Sequence, residues 1–190
     1  LIAHTRSKRV KACLPPVLRP DLLQTANGLA LVEWDSVPGG IGLTAQLENL
    51  YRLNKDDRMV NGFGDSLVAA AGKKGRGAKM AISVSVESET YRPEMEWLAE
   101  RLRLRGLDLE VCSPEELTVE NRGVFLGDEK LDLIYRFWEL FDFENIPIMS
   151  DLSEHVELGN LVITPPMKHI QEEKLSLSLI HISEPTRPLY

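Results

Sequence analysis

Met80-Ala81-Ile82-Ser83-Val84-Ser85-Val86 is followed by Pro93-Glu94-Met95-Glu96-Trp97-Leu98-Ala99-Glu100-Arg101-Leu102 and then by Leu107-Asp108-Leu109-Glu110-Val111. The first run is short, apolar and rich in β-branched residues, as a buried strand requires. In the second, Pro93 suits the first helical turn, and Glu94 and Glu96 complement the positive end of the helix dipole. Met95, Leu98, Ala99 and Leu102 recur at helical spacing and predict the buried face, which Gly106 terminates. The third run is again a strand. Strand, crossover helix and strand imply an open, largely parallel sheet, so the fold class is α/β.

Downstream, Ser113-Pro114-Glu115-Glu116 opens a short helix. Residues 123–126 and 131–135 flank Gly127-Asp128 and predict a hairpin. A helix near Leu152 then leads to a strand at Leu161-Val162-Ile163. Ligands of open α/β sheets bind beyond the carboxyl ends of the strands. The first such loop, Glu87-Ser88-Glu89-Thr90-Tyr91-Arg92, is polar, and Glu87, Ser88 and Tyr91 are candidate substrate contacts. Arg136 closes a strand that should be buried, so it either contacts an anionic substrate or makes a structural ion pair.

Upstream, residues 17–23 and 29–34 flank Asn27-Gly28, a strong hairpin signal. Pro38-Gly39-Gly40 breaks the pattern, and residues 43–53 read as a helix with Leu43, Leu47 and Leu50 on one side. A second helix is expected from about Asp65, ending in Gly72-Lys73-Lys74-Gly75-Arg76-Gly77. That run lacks the Gly, Lys and Ser/Thr spacing of a phosphate loop and reads as a surface connection.

Hairpin register decides which charges meet. A strict two-residue Asn27-Gly28 turn sets Asp21 opposite Trp34. A three-residue Ala26-Asn27-Gly28 loop with Gly28 left-handed shifts the register by one. It pairs Arg19 with Asp35 and Asp21 with Glu33 on one face, and Leu22 with Val32 towards the core. This second register separates charge from apolar surface. Opposed Asp21 and Glu33 repel unless a cation lies between them. Hard carboxylate oxygens suit magnesium, whose shell substrate phosphates and water complete. Arg19 would then hold a transferring phosphoryl group. Scattered charge on an exposed hairpin face is the alternative. The Gly-rich turn Pro38-Gly39-Gly40-Ile41-Gly42 offers backbone N–H groups to phosphate.

The 190 residues are 43% hydrophobic and 27% charged, proportions of a globular protein with a real core. A net charge of −7 argues against a general nucleic-acid surface. The basic runs 6–11 and 73–76 read as solvated loops. No apolar run approaches the roughly 20 residues of a membrane span. Cys13 and Cys112 lack metal-ligand spacing, which favours a reducing, cytoplasmic setting. His155 and His169 have no partner at ligand spacing, and no nucleophile elbow is present.

Arg19-x-Asp21, eleven intervening residues, then Glu33-x-Asp35 before a Gly-rich loop resembles glutathionylspermidine synthases and the wider circularly permuted ATP-grasp group. Asp132-Leu133-Ile134-Tyr135-Arg136, an acidic segment and Gly159-Asn160-Leu161-Val162-Ile163-Thr164-Pro165 resemble the pre-ATP-grasp domain of that group. The resemblance covers most of residues 15–174. It implies a partial ATP-grasp lobe over residues 1–78 and a Rossmann-like pre-ATP-grasp sheet over 79–165. A nucleotide-binding region would begin at 166–176. It further implies ATP and Mg²⁺ as cofactors, Arg19 on the transferred phosphoryl group, Asp21, Glu33 and Asp35 as magnesium ligands, and Lys174 on nucleotide phosphate. Asp35 stands where the group usually has Asn. The implied activity is ATP-dependent ligation of a small-molecule or peptide carboxylate to an amine through an acyl phosphate, with no nucleic-acid or membrane partner. A non-catalytic ligand-binding module of the same fold is the competing class, and a Rossmann-like transferase a third.

Leu177-Ser178-Leu179-Ile180-His181-Ile182-Ser183-Glu184-Pro185-Thr186-Arg187 resembles the translation of a transposon adapter used in sequencing libraries. Residues 177–190 are therefore expected to be adapter-derived and no part of the fold. With Leu1 in place of an initiating Met, the expectation is a fragment that is inactive alone.

Overall fold

The computed structural model describes residues 13–53, 56–168 and 172. The basic run at 6–11, Lys174 and the adapter-like segment lie outside them. The described chain is α/β, with a four-stranded parallel sheet at its centre.

That sheet contains β3 (Lys79–Val84), β4 (Asp108–Cys112), β8 (Leu133–Phe137) and β9 (Val162–Thr164), in the order β4-β3-β8-β9. All three pairings are parallel. The period-2 alternation of strands divides the core between its two faces. Met80, Ile82 and Val84 of β3 and Leu133, Tyr135 and Phe137 of β8 point to one face. There they meet three helices, α1 (Ile41–Leu50), α2 (Arg58–Ala70) and α3 (Arg92–Arg103). Ala81 and Ile134 point to the other. That face is covered by α4 (Met149–Leu158) and a small antiparallel sheet, β5 (Leu117–Glu120), β6 (Gly123–Leu126) and β7 (Glu129–Lys130). Val37, Ile41, Phe63 and Leu67 share one apolar cluster with Met80, Leu98 and Tyr135, so the helices before residue 78 and the sheet after it have a common core.

The expected crossover is present. Met95, Leu98, Ala99 and Leu102 are the buried residues of α3, and Gly106 follows with φ +83. Other elements depart from expectation. The turn at Gly127-Asp128 joins β6 only to the two-residue β7, while residues 133–137 enter the parallel sheet. Side chains there alternate between two apolar layers, an environment a surface hairpin does not offer. Helix α2 begins at Arg58, well before Asp65, because Val60, Phe63, Gly64 and Leu67 carry its buried stripe.

Helix α1 buries Ile41, Gly42 and Ala45, and the predicted face of Leu43, Leu47 and Leu50 is exposed. Close approach is the reason. A Cβ on Gly42 would lie 2.7 Å from Cγ of Glu94 on α3, so no larger residue fits at that position.

The hairpin joins β1 (Arg19–Thr25) to β2 (Gly28–Asp35). Thr25 pairs with Gly28, leaving Ala26-Asn27 at the tip, with Gly28 at φ +113. The Thr25 hydroxyl accepts the Asn27 N–H at 3.2 Å and donates to the Gly28 carbonyl at 2.8 Å. From Thr25 to Leu22 the register is one residue shorter than expected, and Leu22 faces Leu31. An irregularity between Asp21 and Leu22 restores it, so Arg19 faces Asp35 and Asp21 faces Glu33. The four-residue pairing arises from a bulge beside Val32, not from a longer turn. Leu22 and Val32 are exposed, not turned towards the core as expected. Among the described residues, no helix is long and apolar enough to cross a membrane.

Candidate functional site

In the sheet, β3 leads through α3 to β4 on one side, while β8 lies on its other side. The chain therefore reverses its winding between β3 and β8. Open α/β sheets bind ligands at such a switch point, beyond the carboxyl ends of the strands. A cavity of about 110 Å³ occupies that position. Ser88 and Tyr91 line it from the segment after β3, and Phe137, Trp138 and Glu139 from the end of β8. Arg19, Asp35, Val37 and Gly39 close it from the hairpin side.

Arg19 is held loosely by three oxygens. Its Nη1 donates to the Gly39 carbonyl at 3.2 Å. Its Nη2 lies 3.3 Å from Asp35 Oδ2 and its Nε 3.4 Å from Asp21 Oδ1. Asp35 Oδ1 accepts the Val37 N–H at 2.8 Å. Burial raises the Asp35 pKa, and the Val37 N–H and Arg19 oppose that rise.

Glu139, at the cavity lining, belongs to a carboxyl pair. Burial, then the charge of Glu172 and a hydrogen bond with it, push the Glu139 carboxyl up to about 8. Glu172 is the counter-ion of Arg136, and it also accepts the Leu140 N–H at 2.8 Å. Arg136 is fully buried. Its guanidinium donates to the carbonyls of Trp138 at 2.7 Å, Pro165 at 2.8 Å and Pro166 at 3.1 Å, besides pairing with Glu172. Of the two roles open to Arg136 in the sequence, this geometry is that of the structural ion pair, because its donors are directed at protein oxygens.

The Gly-rich turn is likewise engaged from within. Glu94 accepts the Gly40 N–H through Oε2 at 3.1 Å and the Gly42 N–H through Oε1 at 2.9 Å. A carboxylate thus occupies the helix N-terminus at which a phosphate was expected. Glu87, expected beside Ser88 and Tyr91, does not line the cavity and accepts from Asn145 Nδ2 at 3.0 Å. Glu139 and Glu172 escaped the sequence reading. Glu139 carried a signal, since it lies two residues past β8. Glu172 carried none, because only folding brings it 33 residues back to Glu139.

The three carboxylates that the resemblance implies as magnesium ligands lie on the hairpin beside Arg19. Asp21 and Glu33 do face one another, but the Arg19 guanidinium lies against both Asp21 and Asp35, where a cation would neutralise them. Asp35 commits its other oxygen to Val37. Among the described residues no three His, Cys, Asp or Glu side chains are grouped so as to hold a metal ion. The arrangement does not fit a metal centre.

No protein-family model matches the chain, and no curated protein matches it.

Proposed function

We propose that the chain is part of an ATP-dependent carboxylate–amine ligase, with Arg19 facing the reacting carboxylate. The observation that carries this reading is the position of Arg19: a guanidinium on a protruding hairpin, at the rim of a cavity located at the switch point of a parallel sheet. A guanidinium there can neutralise charge as a carboxylate becomes an acyl phosphate, which makes positioning and electrostatics the source of rate. Lys174 on nucleotide phosphate belongs to the same reading. ADP release by the full-length protein, measured with magnesium, ATP and panels of small carboxylates and amines, tests it. Release should require both partners and fall at least about a hundredfold in Arg19→Met, the scale of one lost transition-state donor. Release that is unchanged in Arg19→Met removes the reading.

One observation favours a second reading, a ligand-binding module without turnover. Arg19 neutralises the very carboxylates that a catalytic magnesium would need. Saturable ligand binding with no ADP release under any pairing of substrates would select it.

A further inference from the structure

The groups that line the cavity differ in charge and in how well that charge is matched. Arg19, Ser88 and Tyr91 supply hydrogen-bond donors to the lining, and Asp35, paired with Arg19 on the hairpin side, and Glu139, at the end of β8, supply carboxyls. Arg19 is half exposed, and its two ion-pair distances of 3.3 and 3.4 Å exceed the roughly 2.8 Å of a well-made charge-assisted hydrogen bond. Its donors are therefore free to tighten on a better acceptor. Glu139 has the converse need. Among the described residues no ion pair joins it to a cation, because Arg136 is committed to Glu172. A half-buried carboxyl beside a second carboxylate and without a cation of its own keeps its proton, and burial followed by the charge of Glu172 and a hydrogen bond with it raise the pKa of Glu139. A ligand cation would take over the role of that proton. At about 110 Å³ the cavity holds several waters, or a head group of a few non-hydrogen atoms.

We propose that this cavity receives the zwitterionic end of an amino acid, with its carboxylate towards Arg19 and the Ser88 and Tyr91 hydroxyls and its ammonium towards Asp35 and Glu139. The proposal deepens the ligase reading and rests on it for the chemistry after binding, since carboxylates and amines are the groups such an enzyme joins. A zwitterion satisfies both the donors and the carboxyls, whereas an anion leaves Glu139 without a cation and a cation meets Arg19. Two matched ion pairs in a partly buried site also discriminate more sharply than one.

The test is a titration of the chain with glycine, with acetate and with methylammonium at constant ionic strength, monitored by backbone amide NMR without nucleotide or metal. Glycine should saturate shifts at Gly39, Ser88 and Tyr91 at about tenfold lower concentration than either singly charged probe. Glu139→Gln, which keeps the shape of the side chain, should weaken glycine about tenfold and leave acetate unchanged. Asp35→Asn, which also releases Arg19 from its ion pair, should weaken glycine relative to acetate. Acetate binding as tightly as glycine would reduce the cavity to an anion site, and methylammonium doing so would reduce it to a cation site; either overturns the proposal. So does the absence of saturation by all three. Because nucleotide is left out, that failure is separate from failure of the ligase reading, which ADP release alone decides.

Discussion

Glu94 on α3 accepts the backbone N–H of Gly42, 52 residues earlier in the chain, at 2.9 Å. Its second oxygen accepts the Gly40 N–H at 3.1 Å. One carboxylate thus fastens the start of α1 to α3 and fixes the turn whose Gly39 carbonyl accepts from Arg19. Removing it leaves two partly buried amide donors without acceptors at the positive end of a helix. Hydrogen bonds to a charged group contribute about 1.5–3 kcal/mol each in such settings, with partial relaxation offsetting some of the loss. Glu94→Ala should therefore lower unfolding free energy by about 2 kcal/mol in urea titrations, and Glu94→Gln by roughly half as much because one acceptor oxygen survives. An alanine variant within about 0.5 kcal/mol of the parent would show that the clamp is not structural.

A Cβ placed on Gly39 would lie 2.3 Å from Cε1 of Tyr91, too close for any real contact. The Tyr91 ring packs edge-on against Phe137 at a centroid distance of 5.4 Å, so it cannot yield without losing that contact. Gly39→Ala should cost about 1–3 kcal/mol, the usual penalty of overpacking, and alter the near-UV circular dichroism of tyrosine. Combining it with Tyr91→Ala should cost less than the sum of the two single changes, because the clash then has no second party. Strict additivity in that cycle would exclude the contact as the cause.

Elements whose buried face is read from side-chain spacing were legible in the sequence. The α3 stripe and the strand at β3 are of this kind, since apolar periodicity is itself what drives their burial. The facing of Arg19 with Asp35 and of Asp21 with Glu33 was legible too, though for the wrong local reason: charge alternation fixes which residues share a face, while a bulge changes register without leaving a compositional trace. Helix α1 was misread because leucine spacing predicts an apolar face but not how near a neighbouring helix comes. Gly42 and Ala45 win that contact because they are small. The Glu139–Glu172 pair lay beyond reach, since irregular backbone after β8 and a separation of 33 residues leave no period to read.

Arg136 and Glu172 form a buried ion pair in which the guanidinium also donates to three backbone carbonyls. Such a pair stabilises little against an apolar replacement of both partners, but breaking it strands a charge. Arg136→Met should lower stability by about 3–5 kcal/mol in guanidinium titrations. Arg136→Lys should recover little, because an ammonium cannot reproduce the planar fork that reaches Trp138, Pro165 and Pro166 together. Full stability in the lysine variant would mean that charge alone, not geometry, holds this corner.

Glu139 sets a pH dependence whose sign is given by its raised pKa. In the unfolded chain a glutamate loses its proton near pH 4.3. In the folded chain burial and Glu172 hold the proton up to about pH 8. Between those values the native state binds one proton more than the unfolded state, so stability falls as pH rises. The contribution is fully present below the unfolded value and lost as pH passes about 8. Asp35 and Asp142, both raised by burial, act in the same direction, so the total slope does not isolate Glu139. The difference between parent and Glu139→Gln does, because glutamine carries no charge at any pH. Melting temperatures from pH 5 to pH 9 should show the variant gaining on the parent steadily and overtaking or approaching it at the alkaline end. A difference that stays constant across that range would mean that Glu139 titrates as an ordinary glutamate, with no shared proton at the cavity lining.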